Sequence, residues 1–124
     1  MNRLVVVDDE PITAKWIASI IDNTEFELAG VASDGIDAIE LIRRVKPDII
    51  MTDIKMPRMD GLSLIRELKR EGDAARIIIL SSYSDFRFTS EAIRLGADDY
   101  LLKSEISESE LLDALRRHNR GSDR

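Results

Sequence analysis

Acidic residues gather at one point of this chain and stand singly at another. Asp8, Asp9 and Glu10 close a short apolar run, and Asp53 closes a second. Two further runs end at Ser81-Ser82 and at Lys103. Carboxylates brought close together repel, and without compensation at least one is forced to stay protonated. A hard divalent cation removes that cost and prefers oxygen ligands. Magnesium fits best, because it takes one or two carboxylates and keeps coordination positions that phosphate oxygens can fill. Zinc would ask for nitrogen or sulfur, whereas the chain has no cysteine and one histidine, His118, far along the sequence. Three carboxylates, one Mg²⁺ and the Lys103 ammonium sum to zero charge. A carboxylate is also a nucleophile toward phosphorus, and phosphoryl transfer rests mainly on positioning and charge stabilisation. Asp53 is the best nucleophile, since it stands alone at a central run, while the adjacent Asp8 and Asp9 suit a metal cradle. Of the three phosphoryl oxygens, one would face Mg²⁺, one Lys103 and one the Ser81 hydroxyl.

Those groups work together only if the chain brings the run ends to one edge. Five apolar runs recur, at Leu4–Val7, Leu28–Ala32, Ile49–Thr52, Ile77–Leu80 and Tyr100–Leu102, each followed by a helical pattern. Most are continuous rather than alternating, as in parallel strands covered on both faces. Ile12, Trp16, Ile17, Ile20 and Ile21 give the first helix an apolar face behind Pro11. Ile36, Ile39, Leu41 and Ile42 mark the second, entered through Ser33-Asp34; Asp60 caps a third that carries Leu62, Leu64, Ile65 and Leu68. Phe88, Ala92, Ile93 and Leu95 mark the fourth, which Gly96 stops. Ser107 to Glu110 forms a capping box before Leu111, Leu112 and Leu115. Strand and helix alternate five times, which predicts an α/β, doubly wound parallel sheet. Ligands bind beyond the carboxyl ends of such strands, and four of those five ends carry groups suited to phosphate and metal chemistry.

Each residue alone has an ordinary explanation. The triplet at 8–10 caps a helix as readily as it binds a metal. Asp53 before Met56-Pro57 reads as a turn former, Tyr100 as core, Trp16 as packing, His118 as a surface residue and Asp98-Asp99 as a loop charge pair. The joint placement favours the pocket, because independent structural causes would not set these types at matching ends in this order. A chain of 124 residues suits one domain, and 44% apolar content allows a core. The net charge of −6 argues against nucleic acid or an anionic membrane as a direct partner. Without cysteine or a long apolar stretch, the composition suits a cytoplasmic protein.

The order Asp8-Asp9, Asp53 within Thr52 to Gly61, Ser81, and Tyr100-Leu101-Leu102-Lys103 resembles the receiver domain of bacterial two-component response regulators. The likeness spans about residues 3–118, with 119–124 as a linker or disordered tail. It implies a flavodoxin-like (βα)5 fold with strand order 2-1-3-4-5, and a domain that accepts phosphate from a sensor histidine kinase. Carried over by position, Asp53 is the acceptor and Asp9 a direct Mg²⁺ ligand with Asp8 beside it. The Lys55 backbone carbonyl completes the metal site. Ser81 and Tyr100 are the switch pair that reshapes the face of helix four, strand five and helix five, where a phosphorylation-favoured homodimer is expected. Lys55 and Tyr83 flank the phosphoryl group and tune its lifetime.

Family members commonly carry proline after the lysine; Ser104 stands here, so a trans Lys103–Ser104 bond is expected. A haloacid dehalogenase would need an aspartate where Lys55 stands, and a flavodoxin would need a phosphate loop where Asp8-Asp9-Glu10 stands. A pseudo-receiver would lack part of the acidic set. The stretches Ser81–Phe86 and Glu91–Tyr100 are similar to receivers attached to AraC-type helix-turn-helix regulators, and Leu101–Ser104 to those of LuxR-type regulators. Transcriptional control is therefore expected, with a freestanding receiver as the alternative.

Overall fold

The computed structural model describes residues 2–119. It contains five strands, β1 (Asn2–Val7), β2 (Phe26–Ala32), β3 (Ile49–Thr52), β4 (Arg76–Ser81) and β5 (Asp99–Leu102). Five helices alternate with them: α1 (Pro11–Ile21), α2 (Gly35–Val45), α3 (Gly61–Arg70), α4 (Phe86–Leu95) and α5 (Glu108–Arg117). All neighbouring strands pair in parallel, in the order β2-β1-β3-β4-β5.

Continuous apolar strands arise because both faces of the sheet are covered. Val5, Val7, Ile50, Ile77 and Ile79 pack on one side with Ala38, Ile42, Leu64 and Leu68 of α2 and α3. Leu4, Val6, Ile49, Met51, Ile78 and Leu80 point to the other, against Ile17, Ile21, Leu111 and Leu115 of α1 and α5. Successive strand residues thus serve opposite cores. Truncating one of these fully buried leucines or isoleucines to alanine costs about 2–5 kcal/mol.

The helix entrances follow the cap chemistry. Asp34 accepts from Asp37 N at 2.9 Å and Asp60 from Ser63 N at 2.8 Å. Ser107 and Glu110 make both halves of the capping box. Gly96 ends α4 at φ 110°, a left-handed conformation that favours glycine. The capping explanation for the first acidic triplet is not what is found: no side-chain cap precedes α1, and Pro11 occupies its first turn.

Several expectations need correction. α1 buries Thr13, Ile17 and Ile21, so Ile12 lies off that stripe and is 70% exposed. Ile36 and Ile93 are exposed for the same reason. The pair Asp98-Asp99 is not a loop charge pair. Asp98 accepts from Ile77 N at 2.8 Å and faces Arg76, while Asp99 opens β5. Its Oδ2 lies 2.8 Å from Arg117 and 2.9 Å from His118 Nε2. His118 is accordingly half-buried against a carboxylate rather than a free surface group. The expected linker or tail at 119–124 lies outside the described residues except for Asn119. The Lys103–Ser104 bond is trans, as is every peptide bond among the described residues. No helix among them is long and apolar enough to cross a membrane.

Candidate functional site

Backbone pairing carries the site residues just past the strand ends. Asp8 N donates to Ala32 O at 3.0 Å and Asp53 N to Val7 O at 2.9 Å, extending the ladder by one step on each side of β1. Lys103 N donates to Ser81 O at 2.8 Å, doing the same between β4 and β5. Asp8, Asp53 and Ser81 are buried, the last completely. The carboxyl edge of the sheet therefore presents an acid, an acid, a hydroxyl and an amine along β1, β3, β4 and β5.

These groups converge on one ammonium. Lys103 Nζ lies 2.8 Å from Asp8 Oδ2, 2.7 Å from Glu10 Oε1 and 3.0 Å from Asp53 Oδ2. Burial alone would lower the Lys103 pKa, but hydrogen bonds to the three carboxylates outweigh it and hold it above the ordinary lysine value. In return Lys103 holds the Glu10 carboxyl below its ordinary value. One carboxylate oxygen from each of Asp8, Glu10 and Asp53 falls within 4.8 Å of the others. This all-oxygen set keeps two negative charges in excess of Lys103, which fits a hard divalent cation. Asp9, expected as a metal ligand, is not a member of that trio, whereas Glu10 is. Asp9 is exposed and lines the adjoining cavity with Glu10, Asp53, Lys55, Ser82 and Tyr83. Sequence position gave Glu10 no separate role, because its proximity to Lys103 is a tertiary fact.

Asp53 is oriented through both oxygens, with Ile54 N donating to Oδ1 at 2.7 Å and Lys103 at Oδ2. The next turn depends on Gly61. Its N–H donates to Ile54 O at 2.7 Å, and a methyl group there would lie 2.0 Å from the Asp53 carbonyl oxygen. Only glycine permits so close an approach of backbone to backbone.

Beyond the acids, the hydroxyl and aromatic groups form a second layer. Ser81 Oγ accepts from Tyr83 N at 3.1 Å, and Tyr100 Oη donates to Tyr83 O at 2.6 Å. Tyr83 is thus held at both backbone groups by the two residues expected to switch. Burial raises the Tyr100 phenol pKa against the opposing pull of Ser81 and Thr89. The Lys55 ammonium stands over aromatic rings, 4.8 Å from the Phe88 centroid and 5.8 Å from that of Tyr83. Phe88 entered the sequence reading only as part of an apolar helix face.

The arrangement has known relatives. Residues 4–116 match the response regulator receiver domain. The chain is 40% identical over 106 residues to a protein-glutamate methylesterase/protein-glutamine glutaminase of Methanospirillum hungatei, covering 83% of this chain and 31% of that protein. It is 34% identical to the chemotaxis protein CheY of Thermotoga maritima, over 92% of this chain and 94% of CheY. It thus spans under a third of the methylesterase and about half the length of two transcriptional regulatory proteins of Bacillus subtilis, at 35% and 37% identity. A LuxR-family DNA-binding response regulator from Staphylococcus aureus superposes with a TM-score of 0.90 at 25% identity, covering 97% of this chain and all of that one. With the family match running over nearly the whole described fold, the chain belongs to the response regulator receiver domain family.

Proposed function

We propose that this receiver domain accepts a phosphoryl group on Asp53 from the phosphohistidine of a sensor histidine kinase, and that the event is read on the face of α4, β5 and α5. The observation that carries this reading is the convergence of Asp8, Glu10 and Asp53 on Lys103 Nζ, all within 3.0 Å. An Asp53 carboxylate oxygen attacks phosphorus, and the phosphorus–nitrogen bond to the donor breaks with its electron pair leaving on the imidazole. The Ile54 N–H holds the carboxylate in place, and Lys103 neutralises the charge gathering on the phosphoryl oxygens. The carboxylates of Asp8, Asp9 and Asp53 and the Lys55 carbonyl would hold Mg²⁺. When bound, that ion offsets the remaining negative charge and polarises the phosphoryl group as a Lewis acid.

Ser81 connects chemistry to output. Turning its hydroxyl to a phosphoryl oxygen withdraws the acceptor from Tyr83 N, and Tyr100, bonded to Tyr83 O, follows. Exposed Phe86 and Ile93 on α4 are the apolar surface on which such a change would be read, including by a second copy of the domain. The output is transcriptional control through a DNA-binding domain outside residues 3–118, in keeping with the DNA-binding relative from Staphylococcus aureus. A freestanding receiver acting through protein contacts is the second reading, favoured by the near-complete overlap with CheY.

The test is intact mass after incubation with acetyl phosphate and Mg²⁺. The wild type gains one phosphoryl group and Asp53→Asn gains none. No gain in the wild type, or an equal gain in both, overturns the assignment.

A further inference from the structure

Lys55, Tyr83 and Phe88 meet over the outer mouth of the acidic cavity. Lys55 and Tyr83 line that cavity beside Asp53, whereas Phe88 belongs to α4 and packs against the core beneath. The two rings stand edge to face, 5.7 Å apart at 70°. The Lys55 ammonium sits within cation–π range of both, closer to Phe88. Lys55 follows Asp53 by two residues and lines the cavity with three acidic residues, Asp9, Glu10 and Asp53, yet its ammonium lies against aromatic faces. Among the described residues no carboxylate forms an ion pair with it.

From this geometry we infer that Phe88 is a positioning residue that clamps Lys55 across the mouth of the cavity, so that α4 governs how long the Asp53 phosphoryl group survives. The inference rests on the phosphoryl-acceptor reading above and adds a second line from the site to the face that α4 shares with β5. The first runs from Ser81 through Tyr83 to Tyr100 by hydrogen bonds. The second runs from Lys55 to α4 through Phe88, and Tyr83 belongs to both. With the ammonium fixed on Phe88, the Lys55 stem covers the open side of Asp53 and limits the approach of water. When α4 moves, the ring moves with it and the cover loosens.

Two measurements test the clamp. First, hydrolysis of the phosphorylated protein is followed after removal of acetyl phosphate. Phe88→Leu shortens the half-life about two- to fivefold, the range expected for loss of one exposed cation–π contact, and Phe88→Tyr restores it. In a Lys55→Ala background, Phe88→Leu has no further effect. An unchanged half-life in Phe88→Leu, or an equal shortening with alanine at position 55, overturns the proposal. Second, reductive ¹³C-dimethylation keeps the lysine charge and labels its nitrogen. The Lys55 methyl resonance, identified by its loss in Lys55→Ala, lies upfield through the ring current of Phe88 and returns toward the other lysines in Phe88→Leu. An unshifted Lys55 resonance in the unphosphorylated wild type overturns the clamp by itself. Should Asp53 accept no phosphoryl group, the lifetime role falls with the acceptor reading, while the resonance still reports whether Lys55 sits on Phe88.

Discussion

The two ends of the sheet use the same kinds of charged residue in opposite ways. At the amino end, charges are matched with backbone or with one another. Asp48 accepts from Arg3 N at 2.8 Å, Asp98 accepts from Ile77 N at 2.8 Å, and Glu25 takes Arg116 through two bonds. At the carboxyl end, three carboxylates share the single ammonium of Lys103 and keep a negative excess. The first arrangement closes strand ends and asks for nothing more. The second is incomplete in charge, and its negative surplus fits a hard divalent cation.

Removing the shared ammonium strikes at that contrast hardest. In Lys103→Ala, the charge on the transferring group loses its fixed partner, and the rate of phosphorylation by acetyl phosphate falls on the order of a hundredfold. Circular dichroism of the variant stays like that of the wild type. A wild-type rate would mean the convergence on Lys103 is structural only.

The amino end should answer in stability instead. Asp98→Ala leaves the buried Ile77 N–H without its acceptor, at a cost of about 1–3 kcal/mol in urea unfolding. Its phosphorylation rate should match the wild type, and a large fall in rate without loss of stability would blur the distinction between the two ends.

The smallest effect belongs to the exposed pair at the amino edge. The hydrogen bond from Arg116 holds the Glu25 carboxyl down to about 2. Its contribution is therefore fully present above the ordinary value of 4.5 and is lost as pH falls from there through about 2. Solvent screening keeps Glu25→Gln below about 1 kcal/mol at neutral pH. The gap from wild type should shrink with added salt and vanish in acid; a gap that widens on acidification would reverse the sign argued here.

The strands were readable because each apolar run serves two cores, so its continuity has one physical cause. The caps at Asp60 and Ser107 were readable because they satisfy backbone groups only a few residues away. Ile12, Ile36 and Ile93 misled, since residue type does not say whether an apolar side chain falls on the buried stripe or beside it. Asp98 and Asp99 misled for a related reason, their partners at Ile77, Arg117 and His118 lying about twenty residues away. The acids, the hydroxyl and the lysine of the candidate site stood out because strand ends of a parallel sheet share an edge. Glu10 and Phe88 did not, because their parts depend on where a lysine from another segment comes to rest.

The separation of Glu10 and Lys103, 93 positions apart in the chain, has a consequence for assembly. Lys103 follows β5, the strand farthest along the chain and at the sheet edge, so the acids have their counter-charge only when that strand is paired with β4. Any fragment ending before it would carry the acids without their counter-charge.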